Sequence, residues 1–413
     1  MALEALLLPA GGAVGSRSLL RRMNCLGILK AVMGRPQTLR DLAGASGLSR
    51  TAVDAIITDL VEMGWLTPTN SAPAGRLGRP AATFELAAPL GHFLSIDIGA
   101  NHIYVVVTDL TGALRGHLTA PVEEDTPADE RVSAALAVSD GLLKSLDLGR
   151  GALWAAAIGS PGAISTAGEV LHFGGTGMPD WIGLDLRERF AGEFPCAVLV
   201  EGDVLLGAHA ELSIGAARDR NDVVYILCGA RTSGASIVNG KVHRGVHGAA
   251  GIVGEMPELR WAELNERYGS SILTTPRPTR EEIFELARSG DPAALAAIDE
   301  FADDLATGAA AMTLALDPEL LIIGGGSTPG ADMFLPRFTR TLRTMVPLPP
   351  AVSVSTLGSE AVAMGGISLA VNHLHAVLET AVRQQDAFPS PSRAQHLARD
   401  LRAHEGIRIR QPV

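Results

Sequence analysis

The chain has 413 residues, more than one ordinary core accommodates, so two or three domains are expected. Hydrophobic residues make up 47% and charged residues 19%, which excludes a disordered chain, and no apolar run reaches the roughly 18 residues of a membrane span. The net charge of −11 excludes a uniformly basic, polyanion-coating protein, but the charge is uneven: residues 1–90 hold nine Lys and Arg against six Asp and Glu, and the rest hold 25 against 39.

The N-terminal stretch MALEALLLPAGGAVGSRS has a short apolar run with no basic segment ahead of it and no small-residue cleavage site, so a signal peptide is not expected. The cysteines Cys25, Cys196 and Cys228 lie far apart and form no metal spacing. A cytoplasmic protein without disulfides, metal or cofactor is the expectation.

From Ser18 to Val32 the apolar positions Leu19, Leu20, Met23, Leu26, Ile28, Leu29 and Val32 recur at helical spacing, closed by Gly34 and Pro36. Thr38 caps a second predicted helix with Asp41 at its third position, and Gly47 breaks it. Ser49 caps a third, in which Val53, Ile56, Ile57, Leu60 and Met63 form the buried stripe. Two short helices joined by a glycine turn, in the pattern LxxLAxxxGLSRTAVxxIIxxLxxxGWL, are the layout of a helix-turn-helix. The following SAPAGRLGRPAATFEL reads as a wing between two strands. Arg50 and Thr51 sit where a recognition helix meets bases and phosphates, Ser49 serves chiefly as the cap, and Arg40 lies within reach of the backbone. Arg76 and Arg79 lie on the wing, suited to phosphates or a narrow minor groove. The alternative for this segment is a protein-docking module.

From Gly91 the pattern turns α/β. HFLSIDIG, IYVVVTDLTG and ALRGHLTAPV read as three strands, ERVSAALAVSDGLLKSL as a helix, and LWAAAIGSPGAI as a strand ending in a Gly-Ser-Pro-Gly turn. The strand Ala197–Val200 runs into Glu201-Gly202-Asp203 and a helix, a corner where α/β proteins often keep a base. DVVYILCG, the hairpin ASIVNGKVHRG and the buried strand LLIIGGG repeat the theme. Two similar halves imply a cleft between them.

These pieces carry a resemblance. DIGAN at 97–101, GSPG at 159–162, EGD at 201–203, GAARDRNDVVYILCGARTSG at 215–234, VNGKVHRGVHGAAGIVGE at 238–255 and IIGGG at 322–326 resemble, in order, the motifs of the ROK family of repressors, open reading frames and sugar kinases. The resemblance covers roughly 91–375 and implies an actin/hexokinase-like two-lobed body. With the winged helix in front, the chain looks like a ROK transcriptional regulator.

The departures from the family's kinase motifs matter as much. Ala100 and Asn101 stand where the first phosphate loop has Gly-Thr, and Arg231, Thr232 and Ser233 interrupt the second. Gly202 replaces the sugar-binding asparagine, Ile252 a sugar-binding glutamate and Glu255 a zinc-side histidine. The stretch beyond Glu255 has no cysteine, so the family's zinc loop is absent. Of the kinase machinery Asp203 survives, as a vestigial base.

The expectation is therefore a sequence-specific DNA-binding regulator, a repressor by resemblance, that binds a palindromic operator as a homodimer or dimer of dimers. A sugar-like or other small effector would be held by Asp203, Glu201, Glu255 and Gly162. The alternatives are a sugar kinase with Asp203 as base, or a regulator whose pocket has decayed. The expected divisions are a flexible 1–16, a winged helix-turn-helix at 17–90, α/β lobes at 91–200 and 201–375, and a tail helix at 376–413.

Overall fold

The N-terminal capping signals are all used in the computed structural model, which describes residues 16–69, 82–88, 90–174, 177–229, 231–261, 264 and 279–400. Helix α1 (Ser16–Gly34) leads through the short strand β1 (Gln37–Thr38) into α2 (Leu39–Ser46). Thr38 accepts from the Asp41 amide while the Asp41 carboxylate accepts from the Thr38 amide, a reciprocal capping box. Gly47, at φ +68°, makes the left-handed turn that ends α2. Ser49 Oγ accepts from the Ala52 amide at 3.2 Å and opens α3 (Arg50–Glu62), which buries Val53, Ile56, Ile57 and Leu60. Met63, expected in that stripe, is its half-buried C-cap instead. Strands β2 (Leu66–Thr69) and β3 (Thr83–Leu86) pair antiparallel, with β1 on the far side of β3. Arg76 and Arg79 of the expected wing lie outside the described residues.

The body holds two five-stranded sheets of matching plan. The first contains β4 (His92–Ile98), β5 (His102–Asp109), β6 (Leu114–Pro121), β7 (Leu153–Ser160) and β10 (Ala197–Gly202) in the order β10-β7-β4-β5-β6. Helix α4 (Ala128–Ser145), a small ribbon of β8 (Ala163–Ile164) and β9 (Val170–His172), and α5 (Leu186–Ala191) lie between its strands in sequence. Helix α6 (Asp203–Ile214) leads to the second sheet: β11 (Val223–Cys228), β12 (Thr232–Val238), β13 (Lys241–His243), β14 (Leu320–Gly324) and β15 (Ala351–Val354), ordered β13-β12-β11-β14-β15. In each sheet an antiparallel meander of three strands is extended by two parallel ones. Helices α7 (Arg280–Arg288), α8 (Pro292–Leu316) and α9 (Ala331–Met345) build the second lobe.

Two expected boundaries move. Strand β10 continues to Gly202, paired with Ser160, so Glu201 belongs to the first sheet and not to the start of the second lobe. Helix α10 (Ala361–Gln384) runs straight through the expected division at 375/376, because its apolar face continues through Val377, Leu378, Ala381 and Val382. Helix α10 is also long and apolar enough to cross a bilayer by length and composition, although polar residues interrupt its apolar runs. It is two-thirds buried, packed on α6 and on the first sheet as the central helix of the core.

The last described helix, α11 (Pro391–Asp400), docks on α10 and the first sheet through Ala394 and Ala398. His373 Nε2 lies 2.8 Å from the Ala398 carbonyl, and Gln395 donates to that of Leu153. The same region anchors the winged helix. Trp65, wholly buried, packs edge-on against Trp154 and Phe388 and donates to the Pro389 carbonyl at 2.8 Å. From α1, Arg22 donates to the carbonyls of Val382 and Asp386, and Lys30 pairs with Glu379 at 2.5 Å. One apolar cluster runs unbroken from α1 and α3 through Trp65 to α6 and α10.

Candidate functional site

On the winged helix, Arg40, Ser49, Arg50 and Thr51 are all exposed, Arg40 on α2 and the others at the start of α3.

The cleft is built from strand ends. Asp97 on β4 and Glu201 on β10 both stand in register with Gly159 on β7, so the carboxyl ends of three adjacent parallel strands form one row. Ligands in α/β sheets gather at such ends. Asp203, the first residue of α6, lies just beyond, and Gly162 follows the β7 turn at φ +98°. A Cβ at Gly162 would overlap the His172 carbonyl, so only glycine fits there.

Asp203 Oδ1 accepts from the Val204 amide at 2.7 Å. Burial, reinforced by the charge of Asp97, pushes its carboxyl up to about 7, against the pull of Val204 N–H, Arg231 and His102. Asp97 is buried, and its Oδ2 lies 3.1 Å from His102 Nε2. That hydrogen bond lifts the imidazole above its ordinary value despite desolvation. Two carboxylates and a histidine thus share one corner.

Arginines hold the rest. Arg131 on α4 is wholly buried and donates to the carbonyls of Gly99, Ala100, Glu123 and Glu124 at 2.7–3.1 Å. It clamps the loop that resembles a phosphate loop from behind. Arg231, after β11, reaches over to the first lobe. Its guanidinium stacks 4.1 Å above the Phe173 ring, donates to the Gly174 carbonyl at 2.7 Å and to Glu124 Oε1 at 3.2 Å. Arg244, after β13, donates to Glu201 Oε2 at 2.9 Å and to the Ile164 carbonyl. Burial pushes the Glu201 carboxyl up, opposed by Arg244 and by the Gly202 amide on Oε1. Glu255 Oε1 meets His172 Nε2 at 3.0 Å. Arg231, Arg244 and Glu255 of the second lobe therefore each bridge to the first.

The structure brings Asp203, Glu201 and Gly162 into one corner, with Glu255 joined to it through His172. Glu201 and Glu255 spend their carboxylates on Arg244 and His172. Sequence reasoning missed Arg131, His102, Arg244, Glu124 and Phe173. Only Arg131 left a trace: it falls in register with Ala135, Ser139 and Leu142 on the buried face of α4. Arg280, at the start of α7, donates to the Gly229 carbonyl at 2.5 Å beside the glycine run at 324–326.

Comparison with known proteins places this architecture. A model described as the IclR helix-turn-helix domain matches residues 23–69. A putative xylose repressor of Caldicellulosiruptor sp. (strain Rt8B.4) is 21% identical over 398 residues, 87% of this chain and 98% of that protein. A solved ROK family transcriptional regulator, a homolog of the E. coli MLC protein, superposes with a TM-score of 0.66 at 18% identity, covering 93% of this chain and all of the other. A ROK family glucokinase from Streptomyces griseus, solved with glucose and AMPPNP, gives 0.59 at 23% identity over 68% of this chain and 99% of its own. The ROK family model itself matches residues 93–264 and 262–373, and the chain belongs to the ROK family.

Proposed function

We propose that the protein is a DNA-binding transcriptional repressor whose ROK body responds to a small ligand in the cleft. The observation that carries this reading is the continuity of structure between the two sites. Asp203 opens α6, α6 packs along α10, and the far end of α10 receives α1 of the winged helix through Arg22 and Lys30. Twenty-four residues of helix span about 36 Å, so one rigid element joins the cleft corner to the DNA-binding domain. A ligand that shifts α6 shifts the recognition helices, and a coupling of about 1–3 kcal/mol would change operator affinity 5–150-fold.

Two copies related by a dyad would present two α3 helices to half-sites one helical turn or a multiple apart, hence a palindromic operator. The full-length relatives that are xylose repressors support a sugar or sugar derivative as effector, contacted by Asp203. The test is a mobility shift on DNA upstream of the protein's own coding region. Retention that falls steeply with salt, and is abolished in Arg50→Ala plus Arg79→Ala, is expected. Binding indifferent to both sinks the assignment of those residues. Thermal shift against a sugar library finds the effector, since a ligand at about 100 times its Kd adds about 2.7 kcal/mol.

Phosphotransfer is the second reading, favoured by one observation, the intact Asp203 with its raised pKa. Arg231 opposes it by projecting across the cleft where a second phosphate loop would need bare backbone. With ATP and a hexose panel no ADP release above blank is expected; turnover lost in Asp203→Asn overturns that.

A further inference from the structure

We infer that Asp54 is a specificity-determining residue of the DNA interface, accepting a hydrogen bond from the N4 amino group of a cytosine in each half-site. This rests on the reading of α3 as the recognition helix. Over its first nine residues α3 exposes Arg50, Thr51, Asp54, Ala55 and Thr58. At about 100° per residue these occupy an arc of about 140°, ordered Arg50, Asp54, Thr58, Thr51, Ala55 around the helix. Asp54 is one turn from the N-terminus, inside the arc, flanked by Arg50 on one side and Thr58 on the other. The Thr58 hydroxyl is turned back to the Asp54 carbonyl at 2.9 Å, so its donor is spent on the backbone. Asp59, the next acid along α3, lies about 40° beyond the Ala55 edge of the arc and is held by Arg21 at 2.6 Å.

A carboxylate at that place faces phosphates and base edges, and most of what it meets repels it. Guanine offers O6 and N7 acceptors, thymine an O4 acceptor and a methyl group, and adenine an amino group beside the N7 acceptor. Cytosine alone offers an amino donor with no acceptor next to it on the major-groove edge. An acid in this position therefore works by exclusion as well as attraction: it penalises three bases and rewards one.

The experiment selects binding sites from a random duplex pool with the full chain, then with Asp54→Ala and Asp54→Asn. The wild type is expected to demand cytosine at one position of each half-site, with the other bases about tenfold weaker. Asp54→Ala should flatten that position alone, and Asp54→Asn should turn it towards adenine, which an amide contacts bidentately. Circular dichroism of both variants should match the wild type, because Asp54 is exposed. An unchanged base preference in Asp54→Ala overturns the proposal, whatever happens to overall affinity. A wild-type chain that selects no sequence overturns the recognition-helix reading together with it, so the two failures are distinguishable.

Discussion

Asp203 carries the sharpest test at the scale of a single residue. Its folded pKa of about 7 lies above the ordinary 3.8, so the folded state holds its proton more tightly than the unfolded chain does. The stability this contributes is full below about pH 4 and is lost as pH rises through 7. Asp203→Asn should therefore match the wild type in thermal denaturation near pH 4 and exceed it at pH 8. A variant that gains nothing at pH 8 means that the carboxyl is not desolvated. Arg131 makes the opposite case. Arg131→Met keeps the volume but strands four carbonyls that now share a buried guanidinium, at a cost of about 3 kcal/mol or more. Chemical denaturation reads this directly, and a loss under 1 kcal/mol would show the loop to be solvated. Both environments depend on chain segments remote in sequence. Asp203 could be singled out from EGD at a strand end, but its proton affinity comes from burial, reinforced by Asp97 across the sheet. Arg131 shares the buried face of α4 with Ala135, Ser139 and Leu142, but the carbonyls it serves lie on loops that the helix period does not reveal.

At the scale of elements, the helix pair α6 and α10 is the joint of the molecule. Gly365 lies so close to the Leu206 carbonyl that a Cβ there would overlap it, and Gly366 meets Ser95 in the same way. Gly365→Ala must push the helices apart; we expect a loss of about 2 kcal/mol in denaturation and weakened ligand response, a small-to-large penalty in a close-packed joint. At the other end, Trp65 plugs the winged helix into Trp154 and Phe388, and Trp65→Ala should cost about 3–5 kcal/mol. If its operator affinity and melting temperature stayed at wild-type values, the docking would be incidental. The caps at Thr38 and Ser49, the glycine break at 47 and the strand runs of the body were legible because they are local: a hydroxyl, an amide three residues on, an alternating stripe. The end of α10 was not, since helix continuation there is decided by what its apolar face packs against.

For the whole molecule, the two lobes are held together by groups of the protein's own. Arg231, Arg244 and the Glu255–His172 pair span the cleft. Arg231→Ala combined with Arg244→Ala should loosen that closure, and small-angle scattering should record a larger radius of gyration than the wild type at equal ionic strength; identical profiles would mean that packing alone sets the closure. The sequence by itself determined the order of modules, the helix-turn-helix, the repeated sheets and the family, because these follow from local periodicity, capping chemistry and motifs read along the chain. Tertiary structure alone decided that Glu201 and Glu255 are already partnered, that a remote arginine backs the Gly99–Ala100 loop, and that the C-terminal helices clasp the winged helix to the body. Each of these joins groups tens to hundreds of residues apart, and a pairing of charges or a packing of faces at such separation leaves no period or spacing in the chain.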